Sequence, residues 1–224
     1  MSKFKLFGAL LALFIGACRP NISHEDLLTS RIAETRPSVV HLTADHGSCS
    51  AFYVGHGLFI TASHCIKPDA EHIISDLNGD VYGVRPILVD RDRDVTVFES
   101  EGFDGMPLKL WNERIFGAPK IGSSIVSMGF PGYYQQDFVF EEGSILDRRR
   151  MNGVDAIISR ELAFPGESGG PVISLQNGQV IGLVHALAER ITPLDNDVEV
   201  HNTLSVLVAW SEIQIVLEQA RKVR

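Results

Sequence analysis

Gly166-Glu167-Ser168-Gly169-Gly170-Pro171 is the stretch on which the fold turns. Glycines on both sides of Ser168 let the backbone bend tightly, and the apolar run that follows Pro171 reads as a strand. The serine therefore sits on a sharp turn leading into a strand. Two other strings share a strand-end setting. Thr61-Ala62-Ser63-His64-Cys65 comes straight after an apolar run, and Asp94 opens the run Val95-Thr96-Val97-Phe98. Along the chain the order is histidine, aspartate, serine.

Outward from these strings the texture is uniform. Short β-like runs follow one another, broken by Gly, Pro, Asn and Asp: Ser38–Thr43, Ser48–Val54, Leu58–Thr61, Ile73–Ser75, Val81–Val89 and Val95–Glu99. After an irregular stretch around Gly102–Pro119, they resume at Ser123–Phe130, Phe138–Leu146, Val154–Ser159, Val172–Leu175 and Gln179–Ala186. Many short strands without long alternating helices predict an all-β sandwich or barrel, with the irregular stretch as the joint between two halves. Two helical pieces frame them. One is expected at His24 to Glu34. The other lies at the end, where Leu207, Trp210, Ile213 and Leu217 recur at steps of three and four.

The three residue types suit one chemistry. A serine hydroxyl is a weak nucleophile until a neighbouring imidazole accepts its proton. Histidine titrates near neutrality and can take and return that proton, and a carboxylate fixes its tautomer and stabilises the imidazolium. In order and flanking residues the three strings resemble the chymotrypsin-like serine proteases, from about Pro37 to the final helix. Ser124-Ile125-Val126-Ser127-Met128-Gly129-Phe130-Pro131 and Glu142-Gly143-Ser144-Ile145 resemble the bacterial HtrA and glutamyl-endopeptidase branch.

The resemblance implies two six-stranded antiparallel β-barrels, at about 37–105 and about 120–204, and a C-terminal helix at about 205–222. It implies a catalytic triad of His64, Asp94 and Ser168, with the amides of Gly166 and Ser168 as the oxyanion hole. Asp92 competes with Asp94 within Asp90-Arg91-Asp92-Arg93-Asp94; the apolar strand after Asp94 favours the latter. Leu162 stands six residues before the serine, where trypsin-like enzymes carry an acid, so cleavage after Lys or Arg is not expected. Leu162, Ala163 and His185 are the candidate substrate-pocket residues. A small or aliphatic residue before the scissile bond is the default expectation, and His185 leaves an acidic preference open. Glu167 replaces the aspartate with which the digestive branch pairs its new N-terminus, so no obligatory propeptide cleavage is expected. Taken alone, Glu167 reads as a surface acid.

Residues 1–17 are of another kind: Lys3 and Lys5 precede the apolar run Leu6 to Ile15, then Gly16, Ala17 and Cys18. That layout reads as a secretory signal peptide, with 18–36 as a linker before a protease domain over 37–224. Ile15-Gly16-Ala17-Cys18 also resembles a bacterial lipobox, which would acylate Cys18 and hold the protein on a membrane surface; ordinary cleavage near Ala17 is the alternative. With Cys18 lipidated, the three cysteines leave Cys49 and Cys65 as one pair, and the resemblance implies a disulfide between them in an exported compartment. The net charge of −8 argues against nucleic-acid binding. Arg148-Arg149-Arg150 reads as a solvated hairpin tip. No CxxC or HExxH occurs, so neither a metal nor a cofactor is expected. The substrate would be protein or peptide. Two other classes compete: a catalytically silent surface binding protein on the same fold, and an α/β-hydrolase esterase, which the His–Asp–Ser order disfavours.

Overall fold

The structure is a computed structural model that describes residues 22–44, 47–132, 137–160, 163–194 and 198–224, without side chains over 188–203. Leu162 and Cys18 lie outside the described residues. The chain opens with helix α1, His24–Thr35, capped by Ser23, whose Oγ accepts from the Asp26 amide at 3.0 Å. Glu25 and Asp26 in its first turn suit the positive end of the helix dipole. Arg31 on this helix donates to the carbonyls of Leu175 and Gln176, tying α1 to the second half of the chain.

Seven strands make the first sheet: β1 Val39–Ala44, β2 Gly47–Gly55, β3 Leu58–Thr61, β4 His72–Ser75, β5 Val81–Gly83, β6 Arg85–Asp90 and β7 Val95–Glu99. All pairings are antiparallel, in the order β5-β4-β1-β2-β3-β7-β6. The two edge strands, β5 and β6, are consecutive in sequence with only Val84 between them. Laid flat, seven strands would separate those edges by roughly 29 Å, far beyond the reach of one residue. The sheet therefore curls round until its edges meet, a half-barrel held by a single residue. The apolar run Val81–Val89, one strand by sequence pattern, serves both edges.

The connection carries a short helix, α2, Glu113–Phe116. Beyond it β8 Ser124–Gly129, β9 Val139–Met151, β10 Val154–Ser159, β11 Pro171–Ser174, β12 Val180–Leu194 and β13 Val198–Ala209 form a closed barrel in the order β10-β13-β12-β11-β8-β9. Asn152 and Gly153 turn β9 into β10 with φ of 51° and 85°, the two-residue turn that matches strand twist. The three arginines before it are exposed; Arg149 pairs with Asp147, and Arg148 lies over the Trp210 ring.

Helix α3, Trp210–Val223, follows β13 directly. Leu207, placed on the helical stripe by spacing, belongs instead to β13, where it pairs with Ile157 and Val184. Val206-Leu207-Val208-Ala209 is a continuous apolar run, and ladder hydrogen bonds on both sides hold it extended. Trp210, Ile213, Val216, Leu217 and Ala220 form the buried face of α3, which packs on β6 and β7 of the first sheet and on β10, β12 and β13 of the barrel.

The two halves bury their interiors differently. The first packs fully buried Phe52, Phe59 and Phe98, with Phe59 and Phe98 stacked at 5.2 Å. The barrel interior is filled by Ile125, Ile145, Ile157, Val172, Ile181 and Leu207. Truncating one of the buried phenylalanines to alanine costs about 3–5 kcal/mol.

Candidate active site

After β3 the chain makes a 3-10 turn over Ser63–Cys65, with the Ile66 amide donating to the Ser63 carbonyl at 3.1 Å. Cys65 in this turn is joined to Cys49 on β2 by a disulfide. Arg91 donates to the carbonyls of Ser63 and Ile66, so the β6–β7 loop clamps the turn from the other side. His64 is thereby fixed at its backbone while its ring stays accessible, at 46% side-chain exposure.

Asp94 reaches this ring from the β6–β7 loop. Its φ of 55° is left-handed, a conformation that aspartate tolerates better than most residues. The loop is held by Arg93, which bonds Asp90 at 3.0 Å and the buried Glu212 of α3 at 2.8 Å. Both carboxylate oxygens of Asp94 are engaged. Oδ1 accepts from the His64 amide at 2.9 Å and the Ser63 hydroxyl at 2.8 Å; Oδ2 lies 2.8 Å from His64 Nδ1. Asp92 is exposed beside it. Burial alone would raise the Asp94 carboxyl, but hydrogen bonds from His185, His64 and Ser63 outweigh it and hold the group well below the usual carboxylate range.

The fourth partner is the unexpected one. His185 of β12 places Nδ1 2.6 Å from Asp94 Oδ2, with its ring centroid 6.0 Å from that of His64. His185, a candidate pocket-wall residue that leaves an acidic preference open, has its ring turned to the back of the carboxylate. The reason lies in the pairing with β13: the β12–β13 register shifts between Val184 and Ala186, and a bulge of one residue exchanges the faces of a strand. Ala163, the other described candidate for the pocket, is buried in the barrel interior.

Ser168 is carried to the same seam by backbone bonds. Its carbonyl accepts from the Ser50 amide at 2.9 Å and lies 3.7 Å from Cys65 Sγ. Gly169 has a φ of 82°, and a Cβ there would meet Thr61 Oγ1 at 2.2 Å and the Ala62 amide nitrogen at 2.7 Å. The serine turn thus rests directly on the residues leading to His64. Among the described residues the amides of Glu167, Gly169 and Gly170 donate to carbonyls of Phe164, Val184 and Glu167, whereas those of Gly166 and Ser168 do not enter this set of backbone bonds.

Sequence reasoning missed three supports. Ser50 is fully buried and acts as a staple: its Oγ donates to the Gly166 carbonyl and accepts from the Phe130 amide, both at 2.9 Å. Ser63 braces Asp94. Glu167, read as a surface acid, is fully buried, with Oε2 accepting from the Phe164 amide at 2.8 Å. The Ser50 pattern of an ordinary strand serine offers no signal, and the burial of Glu167 depends on strand β8, distant in sequence, packing over the turn.

Metal-ligating side chains converge at two places among the described residues. At Cys49, His64 and Cys65 the sulfurs are joined in the disulfide. At His64, Asp94 and His185 the nitrogen–oxygen separations of 2.8 and 2.6 Å are those of hydrogen bonds.

Residues 49–183, which contain all three strings, match the trypsin-like peptidase domain. The chain belongs to the trypsin-like peptidase family. No curated protein sequence matches it, but solved structures do. The active form of the Rv3671c protease from M. tuberculosis is 20% identical, with a TM-score of 0.71 over 86% of this chain and 84% of that one. An inactive mutant form of Rv3671c from M. tuberculosis H37Rv gives 20% identity and a TM-score of 0.69 over 87% and 91%. The serine endoprotease from Yersinia pestis gives 18% and 0.70 over 88% of this chain and 66% of that one. At this identity the likeness is one of fold: the trypsin-like arrangement of a closed six-stranded barrel, a curled sheet and a terminal helix.

Proposed function

We propose that this trypsin-like peptidase is a serine endopeptidase that cleaves protein or peptide substrates through an acyl-enzyme, with His64, Asp94 and Ser168 as its triad. The observation that carries the reading is the double engagement of Asp94 with His64, at the backbone amide and at Nδ1, beside a serine turn whose carbonyl accepts from Ser50 of β2, the strand that pairs with β3. An ionised carboxylate only accepts hydrogen bonds, so His64 Nδ1 bears the hydrogen and Nε2 is left with a lone pair. In that tautomer Nε2 takes the Ser168 proton as Oγ attacks the scissile carbonyl carbon. The amides of Gly166 and Ser168 receive the developing oxyanion, each such donor contributing roughly 3 kcal/mol of transition-state stabilisation. The imidazolium returns its proton to the leaving amine, and water, activated by the same nitrogen, releases the acyl group and restores Ser168.

Export completes the reading. A disulfide beside the catalytic turn fits an oxidising compartment, and among the described residues no helix is long and apolar enough to cross a membrane. We assign residues 1–17 to a signal peptide and Cys18 to a lipid anchor; loss of fatty-acid labelling in Cys18→Ser tests the anchor. With His185 occupied by Asp94, a small or aliphatic residue before the scissile bond is the preferred specificity, which a peptide library would read directly.

Labelling with a serine-directed phosphonate tests the activity. The wild-type chain is expected to label at Ser168 and cleave a casein-type substrate, and Ser168→Ala to do neither. Turnover unchanged in Ser168→Ala would overturn Ser168 as the nucleophile, and a folded wild type that neither labels nor cleaves would return the chain to the class of silent binding proteins.

A further inference from the structure

Asp94 ends a loop of four residues, Arg91 to Asp94, that closes the ladder pair of Asp90 with Val95. The two arginines of this loop pull in different directions. Arg91 holds the carbonyls of Ser63 and Ile66 on the turn that carries His64. Arg93 faces the other half of the molecule. Its Nε donates to Glu212 Oε2 at 2.8 Å, and Glu212 Oε1 accepts from the Asp155 amide of β10 at 3.0 Å. With the triad as proposed, we infer that Arg93 and Glu212 are positioning residues, through which α3 and the barrel set the place of the Asp94 carboxylate and hence the rate of the chemical step.

The backbone creates the need for such a support. Asp94 has a φ of 55°, a left-handed conformation disfavoured for a residue with a Cβ, and it persists only where its surroundings over-determine it. The residue before it is pinned at three points. The Arg93 amide donates to Asp90 Oδ1 at 2.9 Å, Nη1 to Asp90 Oδ2 at 3.0 Å and Nε to Glu212. A guanidinium can serve two carboxylates in this way because its donors lie in a rigid planar fork. The bonds to Asp90 stay at the base of the loop, whereas the bond to Glu212 refers the loop to the opposite half. Glu212 is a firm reference point: it is 4% exposed, on a helix face that buries Trp210, Ile213 and Leu217, and a buried carboxylate requires its partners. The acid so placed has little room for error. Asp94 meets the Ser63 hydroxyl, the His64 amide and His64 Nδ1 at 2.8–2.9 Å, and a misplacement of roughly 1 Å can cost about 10²-fold in rate. Because the carboxylate acts on the imidazole and not on bound substrate, that cost falls on kcat.

The test is steady-state kinetics of the full chain carrying Arg93→Met, Glu212→Gln or both. Turnover is counted per molecule whose Ser168 takes up a serine-directed phosphonate at completion, so a variant that is merely unstable reads as wild type. Each single variant is expected to lower kcat about 10- to 100-fold, with KM within about twofold of the wild type. The two residues act through one contact, so the double variant should fall only to the level of the poorer single variant. Wild-type kcat in both single variants, a loss confined to KM, or losses that multiply in the double variant would overturn the inference while leaving the protease reading intact. Absence of Ser168-dependent turnover in the wild type would overturn both. Because removing one partner of a buried ion pair can prevent folding, Arg93→Lys and Glu212→Asp give a second readout. Both keep the pair charged and displace the contact from which the loop is held. A kcat lowered severalfold at unchanged KM is expected, and wild-type kcat in both would overturn the proposal.

Discussion

The curled sheet and the closed barrel contribute to the site in different currencies. From the sheet come side chains: the His64 ring, the Asp94 carboxylate and the Ser63 hydroxyl, cross-bonded at 2.8–2.9 Å. From the barrel come a bent backbone and its amides around Ser168, together with the His185 ring. The sheet can support long polar side chains because its strand ends lie at an accessible seam. The barrel turn must press its main chain on Thr61 and Ala62, which glycine alone permits. The comparison teaches that the sheet half should tolerate isosteric changes with the fold intact and activity lost, while changes to the barrel turn should damage both together.

The sharpest test on the sheet side is Asp94→Asn. It keeps the shape of the side chain but stabilises the other imidazole tautomer, and kcat is expected to fall about 10⁴-fold with the folded state retained by circular dichroism. On the barrel side, Gly169→Ala places a methyl within 2.7 Å of backbone atoms of Ser50 and Ala62 at a left-handed φ. A loss of about 3 kcal/mol or more in urea unfolding is expected, together with loss of turnover. If Gly169→Ala proved as stable as the wild type, the contrast between the halves would collapse. Ser50→Ala probes the staple between them. Removing a buried hydroxyl that serves both Gly166 and Phe130 should cost about 1–3 kcal/mol and lower kcat more than it raises KM, because the turn loses its brace.

The smallest expected effect concerns acid. Burial lowers the His41 imidazole, whose Nε2 bonds Ser48 at 2.8 Å. The folded state therefore resists a proton that the unfolded chain accepts below about pH 6.5. Stability is full above that pH and declines as pH falls toward the folded value, by at most about 1.4 kcal/mol per pH unit for one such group. His41→Gln should flatten this decline in urea unfolding. Asp94, lowered likewise, contributes stability that is present above about pH 4 and lost only in stronger acid.

Much of this architecture could be read from local pattern. Runs of period-two and continuous apolar residues marked most strands, and the glycines around Ser168 marked the turn. Val95-Thr96-Val97-Phe98 marked β7, and hence the acid at its start. What escaped reading was set by distant neighbours. The face that His185 presents depends on a register shift against β13, which no window around residue 185 contains. Val81–Val89 looks like one strand because nothing local shows that its two ends pair with β4 and β7 on opposite edges of the same sheet. Leu207 fits a helical spacing and a strand run equally well, and only pairing with β10 and β12 decides between them.

Glu212 has a temporal consequence. Its Oε2 grips Arg93 at 2.8 Å and its Oε1 accepts from the Asp155 amide at 3.0 Å, so one carboxylate of α3 fastens the Asp94 loop to the barrel. It lies downstream of every strand among the described residues. A ribosome has therefore delivered both sheets before the residue that fastens them emerges, and the nascent chain reaches that stage with its acid loop still unlatched.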